Sequence, residues 1–270
     1  MVTYETQCYE NDYEYILTGD RLERAIKNCN YNFEKRIVLV NKVFNKRKVA
    51  QLCEKNIARG VIDEYHFSND YIKEALKFFS IKESSFKGGL NFSRAQLVGL
   101  YLCKTEYLLH FTTDSYIEKN NSSQWISEAI KLMETESKYV CANPCWNEKY
   151  EGAKAESLTE IRDWYIGYGF SDNCYLVPTH VFKNKIYNEY NQASDRYPGY
   201  AGECFEKRVD SYMRNHGLLR LTNKHISFTT NNFPKKTSIK IMNFFEKHSV
   251  RKIRNGIKVV KSIYKKNAEA

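Results

Sequence analysis

Two short runs limit what this chain can become. IVLV (37–40), at the end of KRIVLV, and YLLHF (107–111), apart from His110, are apolar at consecutive positions, not at alternate ones. A strand with one wet face alternates; a strand covered on both faces does not need to. Such runs belong in the middle of a parallel sheet with helices above and below. The segments around them agree. VTYETQCY reads as a first strand, and DYEYILTGDRLERAIKNCN after it has helical spacing through Tyr15, Leu22 and Ile26. NKRKVAQLCEKNIARG is a helix with a glycine stop at Gly60. VIDEYHFS, DYIKEALKFFSI, SRAQLVGLYLCKT, EYLLHFTTD, SQWISEAIKLMETES and KYVCANPCW then read strand, helix, helix, strand, helix, strand. This alternation predicts an α/β fold with a mostly parallel sheet flanked by helices.

The second half is less regular. GFSDNCYLVPTHVFKN suggests a strand and a turn, and YNEYNQASDRYPGYAGE a polar, aromatic loop. CFEKRVDSYMRNHG is a helix that stops at Gly217, with the strand LLRLTNKHISF behind it. The composition changes near Phe233-Pro234. Residues 235–270 hold eleven Lys or Arg and two Glu, a balance of +9 out of +10 for the whole chain. The expected organisation is therefore a domain over 1–234 and a basic amphipathic helical tail over 235–270.

Eight scattered cysteines are too few for a disulfide scaffold, and only Cys141 and Cys145 lie close in sequence. They read as reduced thiols of a cytoplasmic protein. The start of the chain has no secretory pattern, and no run of about 18 apolar residues offers a membrane span.

Strand ends are where ligands sit in open α/β sheets. YLLHF delivers Thr-Thr-Asp-Ser at its end, so Asp114 either caps a turn or holds something. The helix before it opens with Ser93-Arg94. A helix dipole disfavours a cation at that end, so an arginine there makes sense if an anion such as a diphosphate is near. A strand-end carboxylate beside an anion site suggests a divalent cation bridging protein and phosphates.

NFSRAQLVGLYLCKTEYLLHFTTDSYIE (91–118) resembles the central stretch of GT-A fold glycosyltransferases, close to family 2. The resemblance runs over roughly residues 2–230 by order and spacing. In that family an arginine-bearing helix leads to a strand ending in Asp-x-Asp. Arg94 falls on the arginine, Asp114 on the second, metal-holding Asp, and Thr112 where the first Asp is expected. The resemblance implies Mn²⁺ or Mg²⁺ as cofactor and places Glu5, Thr6, Gln7 and Asn41 at the nucleoside. GECFE (202–206) falls on the Gly-Glu-Asp that supplies the catalytic base, with Cys204 in place of the Asp. The base is then Glu203 or, one turn on, Glu206, with Glu203 favoured and Asp195 a third carboxylate nearby. His225 falls near a histidine that serves as a third metal ligand. On the acceptor side, Trp164, Asp172 and Asn173 of DWYIGYGFSDN, with His180, offer the mixture of ring and polar group that sugars take.

The expected function is transfer of a sugar from a nucleotide-diphosphate donor to a hydroxyl of a glycan or lipid-linked acceptor, inverting and metal-dependent. The other class considered is a non-catalytic basic protein that binds nucleic acid or a membrane through its tail. The near-neutral body and the lack of a nucleic-acid motif argue against nucleic acid. Residues 237–266 mix Ile239, Met242, Phe245, Val250, Ile253 and Tyr264 with Lys and Arg. Such a segment suits an anionic bilayer interface, peripheral on the inner face of a membrane. Removing 237–270 is expected to end sedimentation with anionic liposomes while preserving transfer to a short soluble acceptor. A body that no longer folds without the tail would overturn that expectation.

Overall fold

The computed structural model describes residues 1–118 and 123–231. The expected tail lies outside the described residues. Numbered along the chain, the elements begin with β1 (Val2–Cys8), α1 (Tyr13–Leu17), α2 (Arg21–Lys27), β2 (Lys35–Val40), α3 (Lys46–Ala58), β3 (Glu64–Phe67) and α4 (Ser68–Phe78). Next come α5 (Arg94–Leu102), β4 (Tyr107–Phe111), β5 (Ser115–Tyr116), α6 (Trp125–Thr135), β6 (Tyr139–Trp146), α7 (Tyr150–Ala155) and β7 (Thr159–Ile161). The last are β8 (Trp164–Gly167), β9 (Cys174–Pro178), α8 (Thr179–Phe182), α9 (Phe205–Asn215) and β10 (Leu219–Thr230).

Among the described residues one sheet runs in the order β3-β2-β1-β4-β9-β6-β10-β8-β7, with β5 paired to β10. The pairs β3/β2, β2/β1, β1/β4 and β6/β10 are parallel. β9 is the exception at the centre: it is antiparallel to both β4 and β6. A β8–β7 hairpin closes the far edge.

The two apolar runs are buried as their composition requires. Along β2, Val38 and Val40 pack into one core while Ile37 and Leu39 pack into the other. Along β4, Tyr107, Leu109 and Phe111 face the first core and Leu108 the second. Residues of α1, α2, α3 and α6 complete the first core, and residues of α4, α5, α8 and α9 the second. This is a helix–sheet–helix sandwich.

One contact at the centre is unusually close. α5 passes over β1 at Gly99, where an added Cβ would sit 1.6 Å from Glu5 Oε2. Glu5 is 1% exposed, and its Oε1 lies 2.7 Å from Nδ1 of the fully buried His110. Gly99 therefore makes room for a polar pair inside the core. Gly99→Ala is expected to cost about 3 kcal/mol or more, from overpacking together with disturbance of a buried pair. Urea unfolding checks this; an unchanged midpoint would mean that the helix shifts freely.

Candidate active site

The carboxyl ends of β1, β2 and β4 and the amino end of β9 form one rim. Asp114 stands on it in the turn between β4 and β5, half-buried. Its backbone carbonyl accepts from Asn231 N at 2.9 Å. Burial raises its pKa, partly offset by a hydrogen bond from Thr112, its own backbone N–H and the Arg21 guanidinium. Thr112, at the place of the missing acid, is held by its neighbours: its N–H donates to Asn173 O at 2.9 Å and its hydroxyl to Ser115 Oγ at 2.8 Å. The ladder between β4 and β9 thus brings Asp172 and Asn173 beside Thr112 and Asp114, which lie about sixty residues earlier in the chain.

Asp172 and Glu206 form a carboxylate pair. The Asp172 N–H donates to the Glu206 side chain, so α9 hangs its first turn on the loop before β9. Burial raises the Asp172 pKa to about 6; His110 opposes the shift and Asp114 adds to it. Burial also raises Glu206 well above the carboxylate range, and the Asp172 charge pushes it further. Two acids that repel each other in a desolvated place share one proton before they release it.

Glu203 has a different setting. Its Oε1 lies 3.2 Å from Lys207 Nζ and 3.4 Å from Lys87 Nζ. It is a counter-charged carboxylate, whereas burial and the Asp172 charge favour the protonated form of Glu206. The preference for Glu203 over Glu206 is therefore not supported by the geometry. Asp195 is likewise engaged, 2.8 Å from Lys207 Nζ. The turn before them is fixed backbone against backbone. Gly202 has φ 59°, and a Cβ there would lie 2.7–3.0 Å from Phe86 O, Lys87 O and Gly89 N. Ser93 Oγ accepts from Phe205 N at 2.8 Å and donates to Gly89 O at 2.9 Å, tying the start of α5 to the start of α9. Arg208 adds bonds to Glu203 O, Tyr187 O and Ser85 Oγ.

On the other side of the rim, Gln7 Oε1 accepts from Asn41 Nδ2 at 2.7 Å, and Asn41 Oδ1 accepts from Ser68 Oγ at 2.5 Å. These two amides stand at the ends of β1 and β2, half-buried, where a base or ribose can reach them. Arg94 is half-buried at the start of α5, and its Nη1 donates to Asn69 Oδ1.

Five expected site residues are elsewhere. Glu5 and Thr6 lie inside the sheet, 1% and 2% exposed, because the strand runs on to Cys8 before it reaches the rim. Trp164 is a core residue of β8: the segment expected to be a sugar-binding loop is half of a hairpin. His180 lies in α8 just beyond Pro178, which pairs with Tyr107 at the amino end of β4. That is the opposite edge of the sheet from Asp114. His225 lies in an irregular stretch of β10, with Nε2 2.9 Å from Asp163 Oδ1. It is six residues before Asn231, the partner of Asp114, and its side chain is engaged by Asp163. Among the described residues no three His, Cys, Asp or Glu side chains converge as a metal cluster.

Arg21 was not foreseen. Its guanidinium is 3.8 Å from the Tyr15 ring centroid and 4.3 Å from that of Tyr116, two residues after Asp114. Nothing in DRLERAIK distinguishes it from the other cations of that helix; only the return of Tyr116 to α2 does.

No family model and no curated protein sequence matches the chain. Solved structures do. A mannosyltransferase from Pyrobaculum calidifontis in complex with GDP-Man and Mn²⁺ superimposes with a TM-score of 0.53 at 11% identity, over 87% of this chain and 58% of that one. GalNAc-T7 with UDP, GalNAc and Mn²⁺ superimposes with a TM-score of 0.50 at 9% identity, over 87% of this chain and 44% of that one. The chain thus spans about half the length of these two structures. The architecture is the GT-A fold, as the sequence resemblance implies. No helix among the described residues is long and apolar enough to cross a membrane.

Proposed function

We propose that this chain is a nucleotide-sugar-dependent glycosyltransferase that acts with inversion, as family 2 does. One observation carries the reading: in a GT-A sheet, a strand-end aspartate stands on the same rim as a desolvated carboxylate pair, Asp172 and Glu206. In this reading Gln7 and Asn41 meet the nucleoside, Asp114 the diphosphate end of the donor, and Glu206 with Asp172 the acceptor. The Asp172–Glu206 pair, which can hold a second proton, takes the proton of the acceptor hydroxyl. The oxygen bonds to the anomeric carbon as the bond from that carbon to the diphosphate oxygen breaks, and the diphosphate leaves with the electron pair. A base with a raised pKa suits this step, because a carboxylate with greater proton affinity is a stronger base. Exposed rings beside the Gly202 turn, Phe92 and Tyr200 at 6.0 Å edge to face, give a sugar acceptor a stacking surface. The acceptor class is a glycan or a lipid-linked sugar.

The residues fit a hard divalent cation. Mn²⁺ and Mg²⁺ at phosphate sites use one or two carboxylates and take their other ligands from phosphate oxygens and water. Asp114 supplies such a carboxylate, half-buried on the rim of the strand ends. When bound, the cation stabilises the departing diphosphate. The fold neighbours' UDP and GDP-Man point to a pyrimidine or purine diphosphate donor. The test is a thermal-shift and transfer screen over UDP-, GDP- and dTDP-sugars with Mn²⁺, Mg²⁺ or EDTA. A bound donor raises the melting temperature by mass action. No shift and no transfer with any donor would end the reading.

A further inference from the structure

Among the described residues few buried side-chain nitrogens lack a hydrogen-bond partner, and Nη2 of Arg21 is one of them. A buried unpaired donor is costly, and a native structure that keeps one has a use for it. The rest of the guanidinium is well held. Tyr15 and Tyr116 both pack against it, with ring centroids 3.8 and 4.3 Å from its central carbon, and the Tyr116 hydroxyl is a hydrogen-bond partner. That hydroxyl also accepts from Asn231 Nδ2 at 2.8 Å, and Asn231 N in turn donates to Asp114 O at 2.9 Å. Arg21 and Asp114 are close enough for each to favour the other's charged form.

We infer that Arg21 is a contact for the donor's diphosphate beside Asp114, and that it gives the site a share of nucleoside-diphosphate binding that needs no metal. This rests on the functional reading above and adds a residue to it. A purely structural role would be to neutralise Asp114. That role needs neither a two-ring clamp nor a spare N–H, whereas a preorganised guanidinium with a free N–H is what phosphate oxygens select. Clamping also lowers the entropy lost when the contact forms. The position fits as well: Thr112 brings no second acid to the turn, and the Arg21 guanidinium is a cation close enough to Asp114 to favour its charged form.

The experiment is calorimetric titration of the full chain with UDP and with GDP, in EDTA and in excess MnCl₂, alongside the bare nucleoside. Wild type is expected to bind at least one diphosphate in EDTA more tightly than its nucleoside. Arg21→Gln should weaken that metal-free binding about tenfold, the worth of one charge-assisted hydrogen bond, and leave nucleoside binding unchanged. Loss of nucleoside binding as well would mark a structural role and overturn the inference. So would wild-type binding that occurs only with Mn²⁺, or a variant equal to wild type in EDTA. If Arg21→Gln does not melt cooperatively, Arg21→Lys decides. A loss of about threefold supports the inference, since lysine is a point charge without the fork; equal affinity overturns it. If neither diphosphate binds under any condition, the functional reading falls and the inference with it.

Discussion

Asp114→Asn is expected to lower kcat/KM about a hundredfold or more while the protein stays folded. The loss is that expected when one group that faces developing charge is removed. The fold should tolerate the change for a reason specific to this residue. Its carboxylate is desolvated and its pKa raised, so the native state holds the charge at a cost. An isosteric amide keeps the hydrogen-bonding shape and drops that cost. The melting temperature should therefore hold or rise slightly, and the Mn²⁺-dependent part of donor binding should disappear. Full activity with unchanged Mn²⁺ response would remove Asp114 from the site.

What could be read from the sequence followed from local pattern. The apolar runs at 37–40 and 107–111, the latter broken only by His110, mark central strands because burial on both faces leaves few polar positions. The strand end at Asp114 is legible because a polar cluster breaks such a run. The central antiparallel strand β9 was not legible in its direction, since CYLVP carries no mark of which way it runs. That direction decides the site: it puts Asp172 and Asn173 at the Asp114 rim and sends His180 to the far edge. Glu5 was misplaced by three residues of strand length. A glutamate inside a strand reads as a strand-end polar group until Gly99 and His110 are seen to make room for it. Trp164 was drawn to the site by the ring-and-polar composition of its segment, and His225 by the resemblance. The hairpin pairing of β7 with β8 buries the first, and the irregular stretch of β10 turns the second toward Asp163. Arg21 needed the tertiary return of Tyr116, which no local pattern carries.

Glu206→Gln should cut turnover about a hundredfold, within the usual range for general base catalysis, with donor affinity preserved. Glu203→Gln should do much less, since its carboxylate is occupied by Lys87 and Lys207. The reverse order would return the base to Glu203. Asp172→Asn separates catalysis from stability. Its pKa in the folded chain is about 6, above the ordinary 3.8. A carboxyl with a raised folded pKa contributes stability that is full below pH 3.8 and is lost as pH rises through about 6. Above that, the ionised pair strains the fold. Asp172→Asn removes that charge, so it should stabilise the protein at pH 8 by about 1–2 kcal/mol, the linkage value discounted for partial exposure. In melting temperature this is roughly 2–6 °C, fading toward pH 4. Activity should move the other way. The wild-type kcat/KM should fall below about pH 6 as the pair takes up its second proton. The asparagine variant should show a displaced acid limb and a lower plateau, because Glu206 loses the neighbouring charge that raises its proton affinity. A more stable variant with an unchanged pH profile would make Asp172 a structural acid and leave Glu206 to act alone. A variant destabilised at pH 8 would mean that the pair is held by its hydrogen bonds more than it is strained by its charge.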